Sequence, residues 1–551
     1  MRGMRAAATI VALMAVGCSV ILSTAEPTQC STNADCAANP SLRGRVCTGS
    51  FCVIPTENSP GKAPEAGAAC VSNEICTKAN GNKAWHCDGN GSPCVQWQTN
   101  ECRFIGGGDA WMNDNALIIG AIQPFSNRQA NGQYKAIPYA ARVRDAMDLA
   151  IEEVALAQPG GIVVPGGPQR PLAVIHCDSG FEAGRADAVF KHLTEVVRAP
   201  VVIIGADEDL VAVTPRARTN KTAIIGADVN GPLPSPPLAW RMLPPLAQQA
   251  PMAARRVSVL EAQRKADPNP PAALKVAVLT LPNPGPIAFV DKLTEVLQFN
   301  GKSTTQNGST AFHVERTEDP RLVNVDHVTH AKAIADFRPD VVVVAMGEDF
   351  TTFYASLIEK NWPADKPPPY YVVTELNYDL STFESVLTAD SDGEDLRRRI
   401  SGTRSGSSPP RDANIDGFER RYSTRYGTDA SGAWSGYEAM YALIYAIQAA
   451  SLGGTLDGPH ISAGFERLRA GATIDVGPAR IGAAFSFLAQ PTETINLRGL
   501  WSELDWNPVT RDLETDVSMF CFQRQDRKLV IKADAGPRLS GGVFTGTYAC
   551  D

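Results

Sequence analysis

With 551 residues the chain exceeds one ordinary domain, and 44% hydrophobic with 20% charged residues is globular composition with material for several cores. A net charge of −8 argues against a nucleic-acid binder, which needs a concentrated basic surface, and suits a protein that handles small molecules. Ten of the thirteen cysteines fall before residue 103, which points to disulfides and an oxidising compartment.

The chain opens with Arg2 and Arg5 ahead of an apolar run from Ala6 to Leu22, the layout of an export signal over residues 1–25. Two processing readings stay open. Ala15-Val16-Gly17-Cys18 resembles a lipoprotein box, which we favour; it implies lipidation of Cys18 and membrane contact through that anchor alone. Ser23-Thr24-Ala25 instead fits ordinary signal peptidase. Further on, the most apolar stretch, Ala439 to Leu452, is short and reads as a buried helix.

Residues 26–104 hold a cysteine repeat. Cys30, Cys36, Cys47 and Cys52 are matched by Cys70, Cys76, Cys87 and Cys94, with Asn33 and Asn73 in equivalent places. Each unit is too small for a hydrophobic core of its own, so cross-links must supply much of its stability. Zinc is the rival reading, but close CxxC pairs are absent. Of the remaining cysteines, Cys521 is expected to pair with Cys550 and Cys102 with Cys177. The repeats read as a spacer or a protein-contact module.

After Ile105 the pattern changes to alternating strands and helices. Ala116 to Pro124 reads as a buried strand, Tyr139 to Leu156 as an amphipathic helix, Leu172 to His176 as a strand, Ala183 to Val197 as a helix and Val201 to Gly205 as a strand. The same grammar restarts with the strand Leu274 to Leu281, the helix Ile287 to Phe299, the strand Pro339 to Gly347, the helix Phe350 to Lys360 and the strand Tyr370 to Thr374. Two such runs predict an α/β chain with two doubly wound, parallel-sheet lobes behind a small disulfide-rich region.

Several segments, in order, resemble the periplasmic leucine/isoleucine/valine-binding protein family, the type I solute-binding proteins. Ile119-Gly120-Ala121-Ile122-Gln123-Pro124 is similar to the family's opening "IGxxxP", and Ala146 to Glu153 (AMDLAIEE) to its "AxxLAxEE" helix. Trp240-Arg241-Met242-Leu243-Pro244 resembles its "FRxxP" crossover. Phe418 to Gly427 (FERRYSTRYG) resembles its "FxxxYxxxYG" helix, and Gly436-Tyr437-Glu438-Ala439 its "AYDA". The resemblance covers roughly residues 113 to 535. It implies two lobes joined by three hinge crossovers that close on a ligand: lobe I from 113–245 and 402–480, lobe II from 246–401 and 481–535, and a tail at 536–551. The implied role is an exported receptor of the periplasm or cell surface serving an ABC-type importer. The alternative is a surface sensor or assembly protein on the same fold.

Ligands of open α/β sheets sit beyond the carboxyl ends of strands, so candidate contacts lie in the loops there. In lobe I these are Gln123, Phe125, Ser126, Asp207, Asp209, Ala227 and Asp228; in lobe II they are Glu348, Glu375 and Tyr378. Amino-acid-binding members hold the ligand carboxylate with hydroxyls and backbone N–H groups, where this chain carries carboxylates that would repel it. The expected ligand is therefore cationic or rich in hydroxyl donors, with Glu375 placed where such members pair the ligand ammonium. Helix capping is the competing role for Asp207, Asp209 and Glu375. No Gly-x-Ser-x-Gly, GxxxxGK[ST] or HExxH motif occurs, and His327 and His330 read as the start of a surface helix, so no catalytic role, metal or cofactor is expected.

Overall fold

The computed structural model describes residues 46–48, 51–53, 70, 72–87, 93–128, 132–233, 238–319, 324–388, 391–406, 413–500 and 503–550. The export segment with Cys18, together with Cys30 and Cys36, lies outside these residues. The chain forms two units, Met1–Glu65 and Ala66–Asp551. In the first, Val46–Thr48 pairs antiparallel with Phe51–Val53, setting Cys47 opposite Cys52.

The second unit begins with the second cysteine repeat, where the helix Asn73–Ala79 is capped by Ser72. A hairpin of Trp85–Cys87 and Cys94–Gln96 sets Cys87 opposite Cys94, the same register as in the first repeat. Disulfides join Cys70 to Cys87 and Cys76 to Cys94. Asn73 is buried and pins the hairpin, its Oδ1 accepting from the Cys87 N–H at 2.8 Å. The repeat is docked rather than a loose spacer. Ala84 and Trp97 join the core under the first sheet, and His192 bonds the Trp97 carbonyl at 2.7 Å.

The first sheet runs Ala239–Arg241, Ala223–Gly226, Val201–Ile204, Leu117–Gln123, Leu172–Asp178, with Phe104–Gly106 added antiparallel at the edge. A disulfide between Cys102 and Cys177 ties that edge down. The central strands are continuous apolar runs because helices cover both faces. On one face lie Pro138–Ala157 and Trp434–Ala450, with Trp240, Tyr445 and Trp506 in their core; on the other lie Ala183–Lys191 and Asp207–Asn220. The two long helices approach closely, since a Cβ on Gly436 would stand 2.4 Å from the Val143 carbonyl oxygen. Among the described residues no single helix is long and apolar enough to cross a membrane.

The second sheet repeats the design. Its parallel strands run Phe312–Arg316, Val276–Thr280, Val341–Ala345, Tyr370–Val373 and Ile400–Ser405. Val517–Gln525 then joins antiparallel. Helices Ala250–Lys265 and Pro284–Val296 cover one face, and His327–Phe337 with Ala355–Lys360 the other. Both sheets therefore share the doubly wound order 2-1-3-4-5.

Three crossovers join the lobes. The first runs from Arg241, at the end of the first sheet, to Leu246 in the second core; the second leaves Ser405 and re-enters the first core at Ile415; the third passes from Leu513 to Val517. The segment Ile481–Leu513, expected in lobe II, buries Ile481, Phe485, Leu497, Leu504 and Leu513 in the first core. Its helix Ile481–Leu488 packs on Trp434–Ala450, which moves the third crossover about thirty residues later than the sequence suggested. Within residues 536–551, expected as a tail, the described residues up to Cys550 instead supply the strands Arg538–Ser540 and Val543–Thr545, and the Cys521–Cys550 disulfide fixes them.

Candidate functional site

A cleft of about 970 Å³ opens between the lobes, within the size range of small-molecule sites. The first lobe supplies Tyr139 and Arg142 from the opening turn of the helix Pro138–Ala157, and Asp228 and Asn230 from the loop after Ala223–Gly226. The second lobe supplies Glu375 and Tyr378, just beyond the strand Tyr370–Val373. The crossovers add Met242 to Pro244 and Arg404 to Gly406, and Asp429 to Gly432 with Trp434 complete the lining.

Asp228 is the best-placed charge. Its Oδ2 accepts from the Tyr139 hydroxyl at 2.7 Å, and its other oxygen has no protein partner among the described residues. Burial lifts this carboxyl to about 6, against the Tyr139 hydrogen bond that favours ionisation. The Tyr139 hydroxyl in turn is held well above its ordinary range, first by burial and then by the adjacent Asp228 charge. Gly432 makes this pair possible. Its φ is +72°, and a Cβ there would stand 2.4 Å from the Tyr139 ring.

Opposite, Glu375 is largely committed to the protein. Its Oε2 accepts from the Ser405 N–H at 2.8 Å, and its own N–H donates to Gln249 Oε1 at 3.2 Å. Burial raises its pKa, and the Ser405 N–H is the largest opposing cause. Fully buried Gln249 also accepts from Thr403 Oγ1 at 2.9 Å and donates to Ser405 Oγ at 3.1 Å. One side chain thus laces the first crossover to the end of the strand that begins the second. Tyr378 stacks under the Arg404 guanidinium at 4.7 Å and meets Phe520 edge-on at 5.0 Å.

The balance of charge is acidic. Among the described residues the lining carries seven carboxylates, Asp228, Glu375, Asp379, Glu384, Glu419, Asp429 and Glu438, against Arg142 and Arg404. Tyr139, Tyr378, Phe418 and Trp434 add aromatic surface.

Of the residues expected at the site, Asp228, Glu375 and Tyr378 meet on the cleft, and the others stand outside its lining. Gln123 is buried against Gly205, where it fills the space a glycine leaves. Phe125 packs edge-on against Phe104 and His176, and Ser126 donates to Asp178 at 2.5 Å. Asp207 and Asp209 open the helix Asp207–Asn220, where negative charge suits the helix dipole. Asp209 accepts from Ser179 at 2.7 Å, and Asp207 from the Gly231 N–H at 2.9 Å. Ala227 lies in the first core, and Glu348 is exposed at the start of the turn Phe350–Tyr354. His327 stacks on Phe353 while His330 sits between Glu315 and Glu318, so the two imidazoles serve separate partners. Sequence reasoning missed Tyr139, Arg142 and the Asp429–Trp434 segment. The readable signal for the first two was their place in the first turn of a helix that follows a buried strand.

A sequence profile described as "Periplasmic binding protein" matches residues 117–484. The chain belongs to the periplasmic binding protein family. Periplasmic binding proteins are also what its fold resembles among solved structures. A leucine-binding protein from Thermotoga maritima gives a TM-score of 0.52 at 14% identity, covering 76% of this chain and 98% of that one. A solute-binding protein of an ABC transporter from Rhodopseudomonas palustris BisB5, in complex with 3,4-dihydroxybenzoic acid, gives 0.51 at 16%, covering 75% and 95%. A fatty acid ABC transporter substrate-binding protein from Thermomonospora curvata gives 0.53 at 13%, covering 78% and 93%. At these identities the likeness shows the fold. No curated protein sequence matched the chain. The family and these neighbours are solute-binding proteins, not enzymes.

Proposed function

We propose that this periplasmic binding protein is an exported receptor that closes on a cationic or hydroxyl-rich solute and delivers it to an ABC-type importer. Lipid attached at Cys18 holds it at the membrane. Lobe I comprises 113–245 with the later segment up to about Leu513, and lobe II the chain between and after them. Asp228 carries the reading. One of its oxygens is fixed by Tyr139 and the other is available to the cleft, on a wall where carboxylates outnumber arginines. Glu375, with its oxygen already on the Ser405 N–H, is a secondary contact, and Tyr378 and Trp434 offer ring faces to the solute.

The test is a thermal-shift screen of the mature protein against amino acids, polyamines, nucleosides and sugars, since a ligand bound only by the native state raises the unfolding temperature. A shift with a cationic solute supports the reading. A shift confined to a leucine-like amino acid or an aromatic acid overturns the ligand class. No shift with any class moves the protein to a sensing or assembly role.

A further inference from the structure

The helix Pro284–Val296 of the second lobe bears with its first turn on a corner of the first lobe. Asn283, its N-cap, makes no capping bond and donates its side-chain amide to Glu208 of the first lobe instead. Pro284 and Pro286 remove two of the N–H groups that a helix leaves unpaired in its opening turn. This end can therefore lie against another surface while burying few unpaired donors.

Two glycines set how closely the lobes meet there. A Cβ on Gly285 would stand 1.9 Å from Asn230 Oδ1 and 3.3 Å from Asp207 Oδ2, both in the first lobe. A Cβ on Gly231 would stand 2.8 Å from the Pro284 Cβ, which belongs to the second. Asp207 fixes the Gly231 loop by accepting its N–H at 2.9 Å. Asp207 and Glu208 thus set two carboxylates of the first lobe at the positive end of a helix dipole from the second. The corner sits beside the first crossover, where the Leu246 N–H donates to the Asn230 carbonyl at 2.9 Å. A rotation of the lobes that parts Gly231 from Pro284 breaks the Asn283 bond, the glycine packing and the dipole contact together, since each joins residues of different lobes.

We propose that this corner is an interlobe latch, in which Asn283 on Glu208, Gly285 on Asn230 and Pro284 on Gly231 hold the lobes in the arrangement seen here. Asn283 and Gly285 stand outside the cleft lining, so they act on solute binding through the lobes alone. Apparent affinity scales with the fraction of chains in the binding-competent arrangement, and the latch sets that fraction. The inference rests on the two-lobed fold and not on the identity of the solute.

The experiment measures the interlobe distance distribution by pulsed electron spin resonance on the full mature chain without added solute. Spin labels are introduced by a non-cysteine chemistry at exposed Leu156 in the first lobe and Val328 in the second. Gly285→Asp suits its own helix, where negative charge is favourable in the first turn, yet sets a like charge against Asp207 of the other lobe. Asn283→Ala removes the bond to Glu208. Near-UV circular dichroism verifies that both variants fold. Both should move chains out of the wild-type arrangement in the same direction, by about fivefold or more in the population ratio. An unchanged distribution in Gly285→Asp overturns the proposal, because a contact that only covers surface has no hold on the lobes. Shifts in opposite directions overturn it too. Should Gly285→Asp fail to fold, an unchanged distribution in Asn283→Ala overturns it equally.

Discussion

Replacing Asp228 with asparagine should stabilise the ligand-free protein while removing its main cleft charge. In the unfolded chain this carboxyl titrates near its ordinary 3.8, whereas burial lifts it to about 6 in the fold. That difference corresponds to about 3 kcal/mol in favour of the protonated form. The folded state therefore holds a proton that the unfolded state has lost between about pH 4 and 6, so the native protein loses stability as pH rises through that window. Asparagine keeps a side-chain oxygen for the Tyr139 hydroxyl and carries no charge to desolvate. Its advantage over aspartate should be absent below about pH 4, grow across the window and level off above pH 7 at about 1–3 kcal/mol, allowing for solvent in the cleft. Urea unfolding of both proteins at pH 4, 6 and 8 measures it. A variant that is neutral or destabilised at pH 8, or equally stabilised at all three values, would refute the reasoning that Asp228 is ionised at a cost accepted for binding.

Three further outcomes are expected. Peptide mapping of the unreduced protein should find Cys30 joined to Cys47 and Cys36 to Cys52, because the two hairpins share one register and the second repeat pairs its first cysteine with its third and its second with its fourth; any other pairing contradicts the duplication. Gly432→Ala should cost about 1–3 kcal/mol, measured by thermal unfolding, since it forces a side chain at positive φ into the Tyr139 ring; an unchanged unfolding temperature would show that the loop yields freely. Glu375→Gln should weaken solute binding by calorimetry less than Asp228→Asn does, because Ser405 already holds the Glu375 carboxyl, and the reverse order would restore Glu375 as the principal partner.

The sequence made the sheets legible for a physical reason. Strands covered by helices on both faces are continuous apolar runs, and Leu117–Gln123, Val201–Ile204 and Val341–Ala345 fall within a few residues of the expected bounds. Short antiparallel partners such as Phe104–Gly106 were not legible, since they are recruited by a neighbouring edge and a disulfide rather than by their own pattern. The lobe boundary after residue 480 misled because the apolar face of Ile481–Leu488 fits either core, and only packing against Trp434–Ala450 decides. At the site, the rule that ligands lie beyond strand ends found Asp228, Glu375 and Tyr378. It also named Gln123 and Asp209, which the fold uses to fill Gly205's space and to receive Ser179. Tyr139 reaches Asp228 across 89 residues of chain, a pairing no local spacing announces.

The central claim is that this cleft selects a cation through Asp228. Isothermal titration of the mature protein with a cationic solute from the screen, repeated with Asp228→Asn, tests it most directly. The account predicts saturable binding that weakens as pH falls below about 6 and is lost in the variant. Binding of that solute with equal affinity to both proteins, or tight binding of an anion in its place, would contradict it.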